Sequence, residues 1–409
     1  MSNEYRNNHY VPVWYQKRFL DSEQADKKLF YLDLKPETIV VSENISYTKN
    51  AMCRKGPKSC FCERDLYTIS LGSDVSTDIE KKFFGTIDVN GKKAIDYFSN
   101  FSHPSVNEGA FQNMVLFMSS QKLRTPKGID WISERVEGVD DHQVVMSHMI
   151  SLRDLHSAIW TEGIWQIASA SQSKTKFIIS DHPVTVYNKE CGPRNRRWCR
   201  GSNDPDIALH GTHTIFPLSP DKVLIITNSS WVKDPYQSAI KYRPNPAPFR
   251  QAIFKVMQTQ THRELNEQEV REINFIIKSR AFRYVAATNK EWLYPEETIS
   301  KSNWNLFGNG YLLMPDPRPV NHGGELIIGH RDGSSTSFDQ HGRRPWDPQY
   351  GNKSKRRVGY DPLYRFKGEF AQLFGPYRRG RSFSMANMDP EKDSDETHKY
   401  HLSLAKKKR

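Results

Sequence analysis

Long apolar runs are missing from this chain of 409 residues. No stretch approaches the roughly 18 to 20 apolar residues that a membrane helix needs, and Met1 to Asn8 contain no apolar export core. The expected location is therefore the cytoplasm, with no membrane partner. Cysteine is scarce as well. The five thiols, Cys53, Cys60, Cys62, Cys191 and Cys199, are an odd number in a chain without an export signal, which argues against a disulfide framework and for free thiols or a metal. Also absent are the phosphate-cradling G-x-x-x-x-G-K-[ST], a G-x-G-x-x-G after a strand, the G-x-S-x-G elbow and H-E-x-x-H. Their absence counts against a Walker nucleotidase, a Rossmann oxidoreductase, an esterase and a zincin protease. No repeat of solenoid or propeller period is found.

Charge is abundant and uneven. The formal net charge is +12, yet residues 341–409 hold 17 Lys and Arg against 8 Asp and Glu, a net of +9, leaving +3 for the first 340 residues. Only 37% of residues are hydrophobic, so part of the chain is expected not to pack. The C-terminal stretch combines basic clusters with Trp346, Tyr350, Tyr360, Tyr364, Phe366, Phe370, Phe374, Tyr377 and Phe383, broken by glycine and proline. Cations that track phosphates and rings that stack on bases suit single-stranded nucleic acid. An arm whose aromatics dock on the body or on an acidic protein partner is the alternative.

Periodicity divides the rest of the chain. The first 70 residues read as short strands: His9 to Tyr15, Lys28 to Asp33 and Thr38 to Val41. From about Asp78 to Ala170 the spacing is helical, with Phe111, Val115 and Met118 on one face and Met149, Leu152, His156 and Ile159 on another. Lys176–Ser180, Val184–Tyr187, Thr212–Phe216 and Lys222–Thr227 read as strands. Asn266 caps a helix carrying Val270, Ile273, Ile277, Ala281 and Tyr284. The expected fold is α+β, with mixed or antiparallel sheet elements, a central helical segment and a disordered or extended basic tail. Its divisions are a body at 1–315, a linker at 316–340 and a basic, aromatic-rich tail at 341–409.

Several short motifs recur in a fixed order: Asn8-His9-Tyr10-Val11-Pro12 with Phe19-Leu20, then Gln121-Lys122-Leu123-Arg124-Thr125-Pro126. Trp165 precedes Phe177-Ile178-Ile179-Ser180-Asp181-His182-Pro183-Val184, and Phe216-Pro217-Leu218-Ser219-Pro220 and the segment Asn274 to Tyr284 follow. Over about residues 7–290 this series resembles an uncharacterised, mainly bacterial family defined only as a domain of unknown function. His182 departs from the family pattern, where asparagine is commoner, and the cysteine cluster and basic tail look like additions. The resemblance implies a shared fold and little mechanism.

Asp181, at the end of an apolar strand, would hold a divalent metal or act as a general base, with His182 beside it as ligand or proton shuttle. An Asp capping the turn before Pro183 is the structural alternative. His9 would meet Asp181 across a groove, or else hold a backbone carbonyl. Arg124 would pair a phosphate, or interact with a helix C-terminus. His210 and His213 make a poor metal pair, and His148 and His156 sit on an apolar helix face. Cys53, Cys60 and Cys62 offer three soft ligands, with Cys191 or Cys199 as a fourth, but their spacing is not that of paired zinc ligands.

The expected function is nucleic-acid processing, most concretely a metal-assisted nuclease that uses Mg²⁺ or Mn²⁺, for which bacterial defence is a natural setting. Its catalytic residues would be His9, Asp181, Arg124 and His182, and Arg343, Arg344, Lys355, Arg356, Arg357, Arg378, Arg379 and Arg381 would bind nucleic acid. A non-catalytic nucleic-acid or protein-binding module with a cationic tail, and a small-molecule enzyme, are the alternatives.

Overall fold

A computed structural model describes residues 7–42, 45–64, 66, 69–71, 74–76, 85–101, 107–134, 142–193, 195, 197–199, 204–299, 303–322, 325–339, 344–348, 350, 361–382 and 395–406. It bears out the α+β class. A six-stranded sheet runs in the order Thr185–Asn188, Thr212–Ser219, Lys222–Thr227, Ile164–Ser169, Gln260–Glu264, Arg381–Ser382. Neighbours pair antiparallel except Ile164–Ser169 with Gln260–Glu264, which run parallel. A second sheet, all antiparallel, has the order Ile179–Ser180, Tyr284–Ala287, Leu29–Asp33, Met52–Lys55.

The period of two along a strand explains why the larger sheet is covered on both faces. Leu224 and Ile226 join a cluster with Phe98, Phe111, Phe117, Trp165 and Phe216, under the helices Gly85–Ser99, Glu108–Leu123 and His142–Thr161. Val223 and Ile225 point the other way, into a cluster with Val270, Ile273 and Ile277 of the helix Glu267–Arg280. That helix opens on a reciprocal cap: Asn266 Oδ1 accepts the Glu269 N–H at 2.9 Å, and Glu269 Oε2 accepts the Asn266 N–H at 3.1 Å. Lys222–Thr227 and the start of this helix lie where the sequence puts them, but the helix stops at Arg280, so Ala281 is its C-cap and Tyr284, expected on it, begins a strand.

Two further expectations change. Of the first aromatic run only His9 lies in a strand, Asn7–His9, which pairs with Cys62–Arg64. Beyond Pro12, whose fixed φ suits a helix start, the chain turns into the helix Val13–Lys17. Order also enters the C-terminal segment, which composition marks as extended or disordered. Its described residues form the helices Asp361–Phe374 and Asp395–Lys406 and the strand Arg381–Ser382. Leu363, Phe366 and Phe370 recur at helical spacing and are buried, and Phe366 and Phe370 pack with Ile164, Trp231, Met314 and Val320 of the body. A Cβ on Gly368 would lie 2.6 Å from the backbone nitrogen of Ala405, so glycine is what lets these helices touch. The start of the expected linker is packed as well: Asp316 and Arg318 form a fully buried ion pair at 2.6 Å. Arg318 donates onward to the carbonyls of Gly375 and Tyr377.

Candidate functional site

Two helices meet end to end at Arg124-Thr125. Glu108–Leu123 stops there, and Pro126–Ser133 starts with Pro126 in its first turn and Thr125 as its cap, Thr125 Oγ1 accepting the Gly128 N–H at 3.2 Å. Gly128 is pressed against the preceding helix end, where a Cβ would lie 2.3 Å from the Lys122 carbonyl oxygen. The tight junction sets Lys122, in one helix's last turn, beside Lys127, in the next helix's first.

Both ammonium groups reach Asp204, a buried residue in the loop before Thr212–Ser219. Lys122 Nζ donates to Oδ2 at 2.8 Å and Lys127 Nζ to Oδ1 at 2.6 Å. Lys127 also donates to the Arg280 carbonyl at 2.5 Å. His182 completes the cluster, with Nε2 at 3.1 Å from Lys122 Nζ and 3.2 Å from Asp204 Oδ2, and Nδ1 at 2.7 Å from Thr125 Oγ1. The Thr125 hydroxyl proton has two acceptors in reach, His182 Nδ1 and the Lys122 carbonyl at 3.4 Å, and His182 Nε2 faces both the Lys122 ammonium and the Asp204 carboxylate, so the neighbours accommodate either imidazole tautomer. The connectivity is that of a hydroxyl–imidazole–carboxylate triad. Access is missing: Thr125 is wholly buried and serves as a cap, which rules out its use as a nucleophile here.

The cluster opens on a pocket lined by Lys122, Lys127, Trp131, His156, His182 and Asp204 among others, with a cavity volume of about 20 Å³. That is room for about one water molecule, so it admits a single polar group. Burial pushes the Lys127 ammonium down to about 8 despite the opposing Asp204. Burial, then the Lys122 charge, pushes His182 down to about 3, and burial does the same to His156. Burial alone would raise Asp204, but Lys122 and Lys127 outweigh it and hold the carboxyl well below its usual range. Two ammonium groups and a neutral imidazole thus face the Asp204 carboxylate at the cavity, and Asp206 adds a second carboxylate to its wall.

Of the four residues given catalytic roles from the sequence, only His182 lines this pocket; His156, expected on an apolar helix face, lines it too. Asp181 is buried and turned to backbone: Oδ1 accepts the Phe282 N–H at 2.9 Å, and Oδ2 accepts those of Arg283 at 2.6 Å and Tyr284 at 2.7 Å. It fixes the turn from the helix Glu267–Arg280 into Tyr284–Ala287, a structural role, though not at the turn before Pro183 where the sequence suggested a cap. His9 donates from Nε2 to the Lys58 carbonyl at 3.0 Å. Arg124 binds Asp88 at 2.8 Å and Gln121 Oε1 at 2.6 Å, while Gln121 Nε2 donates to the Tyr10 carbonyl at 2.6 Å. The motifs do meet, then, but through scaffold bonds.

The expected metal ligands do not assemble. Among the described residues no group of three or more His, Cys, Asp or Glu is placed to hold a metal ion. Cys60 is buried against the Lys55 and Gly56 carbonyls, and burial pushes its thiol up to about 12, away from the thiolate that zinc requires. Cys53 is exposed and Cys62 is partly buried. Cys191 and Cys199 are buried beside Arg280, whose Nη1 lies 3.4 Å from Cys199 Sγ. His213 bonds Thr227 at 2.9 Å, and His210 packs edge-on against Trp231.

Of the tail cations, Arg343, Lys355, Arg356 and Arg357 lie outside the described residues. Arg344 sits 5.6 Å over the ring of Trp346, which is 78% exposed. Arg379 is taken up by Glu269 at 2.6 Å and the Tyr311 carbonyl at 3.1 Å. Arg378 is partly buried, and Arg381 belongs to the edge strand. Lys122, Lys127, Trp131 and Asp204 are the site residues that sequence reasoning passed over. The two lysines flank Arg124-Thr125-Pro126, so that motif held the signal; Asp204 had none beyond being an acid in a basic loop.

The sequence profile of a family described as a protein of unknown function, DUF4238, matches residues 7–149 and 158–291. No curated protein matches the chain, and no solved structure does. Among the described residues no helix is long and apolar enough to cross a membrane.

Proposed function

The chain belongs to the DUF4238 family of unknown function, and on that premise we propose that it binds nucleic acid, seating a phosphate oxygen at Lys122 and Lys127. The convergence of two ammonium groups on one carboxylate oxygen pair at a cavity is the observation that carries this reading. An anionic oxygen can accept charge-assisted hydrogen bonds from both lysines. Trp131, on the same wall, offers a ring for a base to stack on while the rest of the ligand stays outside. The +12 net charge supplies long-range attraction and predicts strong salt dependence.

A second reading, hydrolysis of the bound phosphodiester, is favoured by Lys127. An ammonium pushed down to about 8 exchanges protons near neutrality and suits protonation of a leaving oxygen. Asp181 is a poor seat for Mg²⁺ or Mn²⁺, since its carboxylate is engaged by three backbone amides.

The test is fluorescence anisotropy with labelled single- and double-stranded DNA and RNA over a salt series, with each sample also scored for cleavage with Mg²⁺, Mn²⁺ or EDTA. Salt-sensitive binding that weakens about tenfold in Lys122→Gln and in Trp131→Ala is expected, given the usual worth of one charged hydrogen bond or one stacked base. Failure of the native chain to bind any of the four at low salt would end the reading. Cutting that disappears in Lys127→Met while binding persists would establish the hydrolytic one.

A further inference from the structure

Two buried cysteines, Cys191 and Cys199, face one another in the loop between Thr185–Asn188 and Thr212–Ser219. Asparagines fold that loop back on itself. Asn188 Oδ1 accepts the Glu190 N–H at 3.0 Å, and the Asn188 carbonyl accepts the Cys191 N–H at 3.0 Å. Asn195 Nδ2 donates to the Glu190 carbonyl at 3.0 Å, its Oδ1 accepts the Arg197 N–H at 3.1 Å, and its carbonyl accepts the Cys199 N–H at 2.9 Å. The chain therefore returns and sets Cys199 beside Cys191. Cys199 Sγ lies 3.9 Å from the Cys191 carbonyl oxygen, the two thiols hydrogen-bond each other, and both belong to one buried cluster with Leu209.

Arg280, the last residue of the helix Glu267–Arg280, serves both cysteines. Its Nη1 donates to Cys199 Sγ at 3.4 Å and its Nη2 to the Cys191 carbonyl, while the guanidinium lies 4.9 Å from the centre of the Trp304 ring. A cation against sulfur favours the thiolate, which is the form that attacks. The hydrogen bond from Cys191, then the charge of Arg280, hold the Cys199 thiol below its usual range against burial, and the same bond together with burial holds Cys191 above it. One sulfur is thus disposed to attack and the other to resolve, the division of labour that a dithiol needs for oxidation in two steps. The loop lies at the surface, with Glu190, Pro193 and Arg197 exposed and Cys199 itself keeping 7% exposure, so a local opening of these turns admits a small oxidant.

We propose that Cys191 and Cys199 form a reversible redox site, which a hydroperoxide oxidises from the free dithiol to a disulfide. The Cys199 thiolate attacks one peroxide oxygen and the O–O bond breaks, giving a sulfenic acid and releasing hydroxide or alkoxide. The Cys191 sulfur then attacks the sulfenic sulfur: the S–S bond forms, the S–O bond breaks, and the Cys191 proton leaves with the hydroxyl as water. The peroxide gains the two electrons that the sulfurs lose, and a thiol reductant returns them by exchange.

The test treats the fully reduced chain with hydrogen peroxide, blocks the remaining thiols with an alkylating agent and maps disulfides by mass spectrometry of a non-reducing digest. A Cys191–Cys199 bridge that dithiothreitol reverses is expected, and it should form faster in the native chain than in the same chain unfolded in urea. Its rate in the native chain should reach half of its maximum at a pH below about 8.5, the value of an ordinary thiol. In Cys191→Ser the reaction should stop at Cys199, which dimedone then labels as the sulfenic acid. A map of the native chain that joins other cysteines or none, or a bridge that forms no faster there than in urea, would overturn the proposal. Sulfenic acid at Cys53 in place of Cys199 would do the same. The map of the native chain needs no substitution, so misfolding of Cys191→Ser leaves the test standing.

Discussion

Lys127 and Asp204 meet at 2.6 Å with both side chains almost entirely buried, 2% and 6% exposed. Seventy-seven residues separate them, and they fasten the loop before Thr212–Ser219 to the junction of two helices. A buried pair stabilises little in itself, but removing one partner strands the other in a dry place. Asp204→Asn leaves two ammonium groups without their carboxylate. A loss of about 3–5 kcal/mol is expected, read by urea unfolding. Lys122→Met and Lys127→Met combined with Asp204→Leu should cost far less than the sum of the single changes, because the triple variant leaves no lone charge.

Asp181 offers a clean separation of scaffold from catalysis. Its carboxylate receives three backbone N–H groups, and Asp181→Asn both weakens the remaining acceptor and sets an amide NH2, a donor, against N–H donors. Stability should fall by about 1–3 kcal/mol, measured by denaturant titration. Loss of an activity at unchanged stability would instead return Asp181 to a catalytic role.

Acid should unfold the chain through its buried histidines. His156, His182 and His213 are pushed by burial down to about 3, whereas in the unfolded chain each binds its proton near 6.5. Below that pH the unfolded state holds more protons, so stability is full above about 6.5 and falls as pH drops toward 3. Each histidine contributes a slope of about 1.4 kcal/mol per pH unit in that window. Melting temperatures across pH 4 to 8 test this, and His213→Gln should flatten the curve by one histidine's share.

Arg379 tests whether the C-terminal segment is an arm or part of the body. Its guanidinium binds Glu269 and the Tyr311 carbonyl, its N–H donates to Asp316, and burial pushes it down to about 9. Arg379→Ala should cost about 2–3 kcal/mol, within the range for charged hydrogen bonds and buried pairs. A loose arm would leave the unfolding midpoint unchanged.

The parts that could be read in advance are those where one local signal dominates. Lys222–Thr227 announces itself by an unbroken β-branched and apolar run, and Glu267–Arg280 by a cap and a helical spacing that agree. The C-terminal helix was hidden because Phe366 and Phe370 stand among arginines, glycines and prolines whose composition says disorder, while its partners Ile164, Trp231 and Met314 lie 52 or more residues away in sequence. The pocket was hidden for a related reason. Asp181 is the conspicuous acid of its motif, but a carboxylate beside a turn is drawn to backbone amides, and only the fold brings Asp204 to Lys122 and Lys127.

The sheet order also sets a sequence of events during synthesis. The edge strand Arg381–Ser382, which pairs with Gln260 and Thr261, leaves the ribosome long after its partner. Until then the unpaired backbone of Gln260–Glu264 is an open template for another chain. A nascent or truncated chain is thus at risk of misassembly until this strand emerges, and products stalled short of it should be cleared faster or aggregate sooner than chains that contain it.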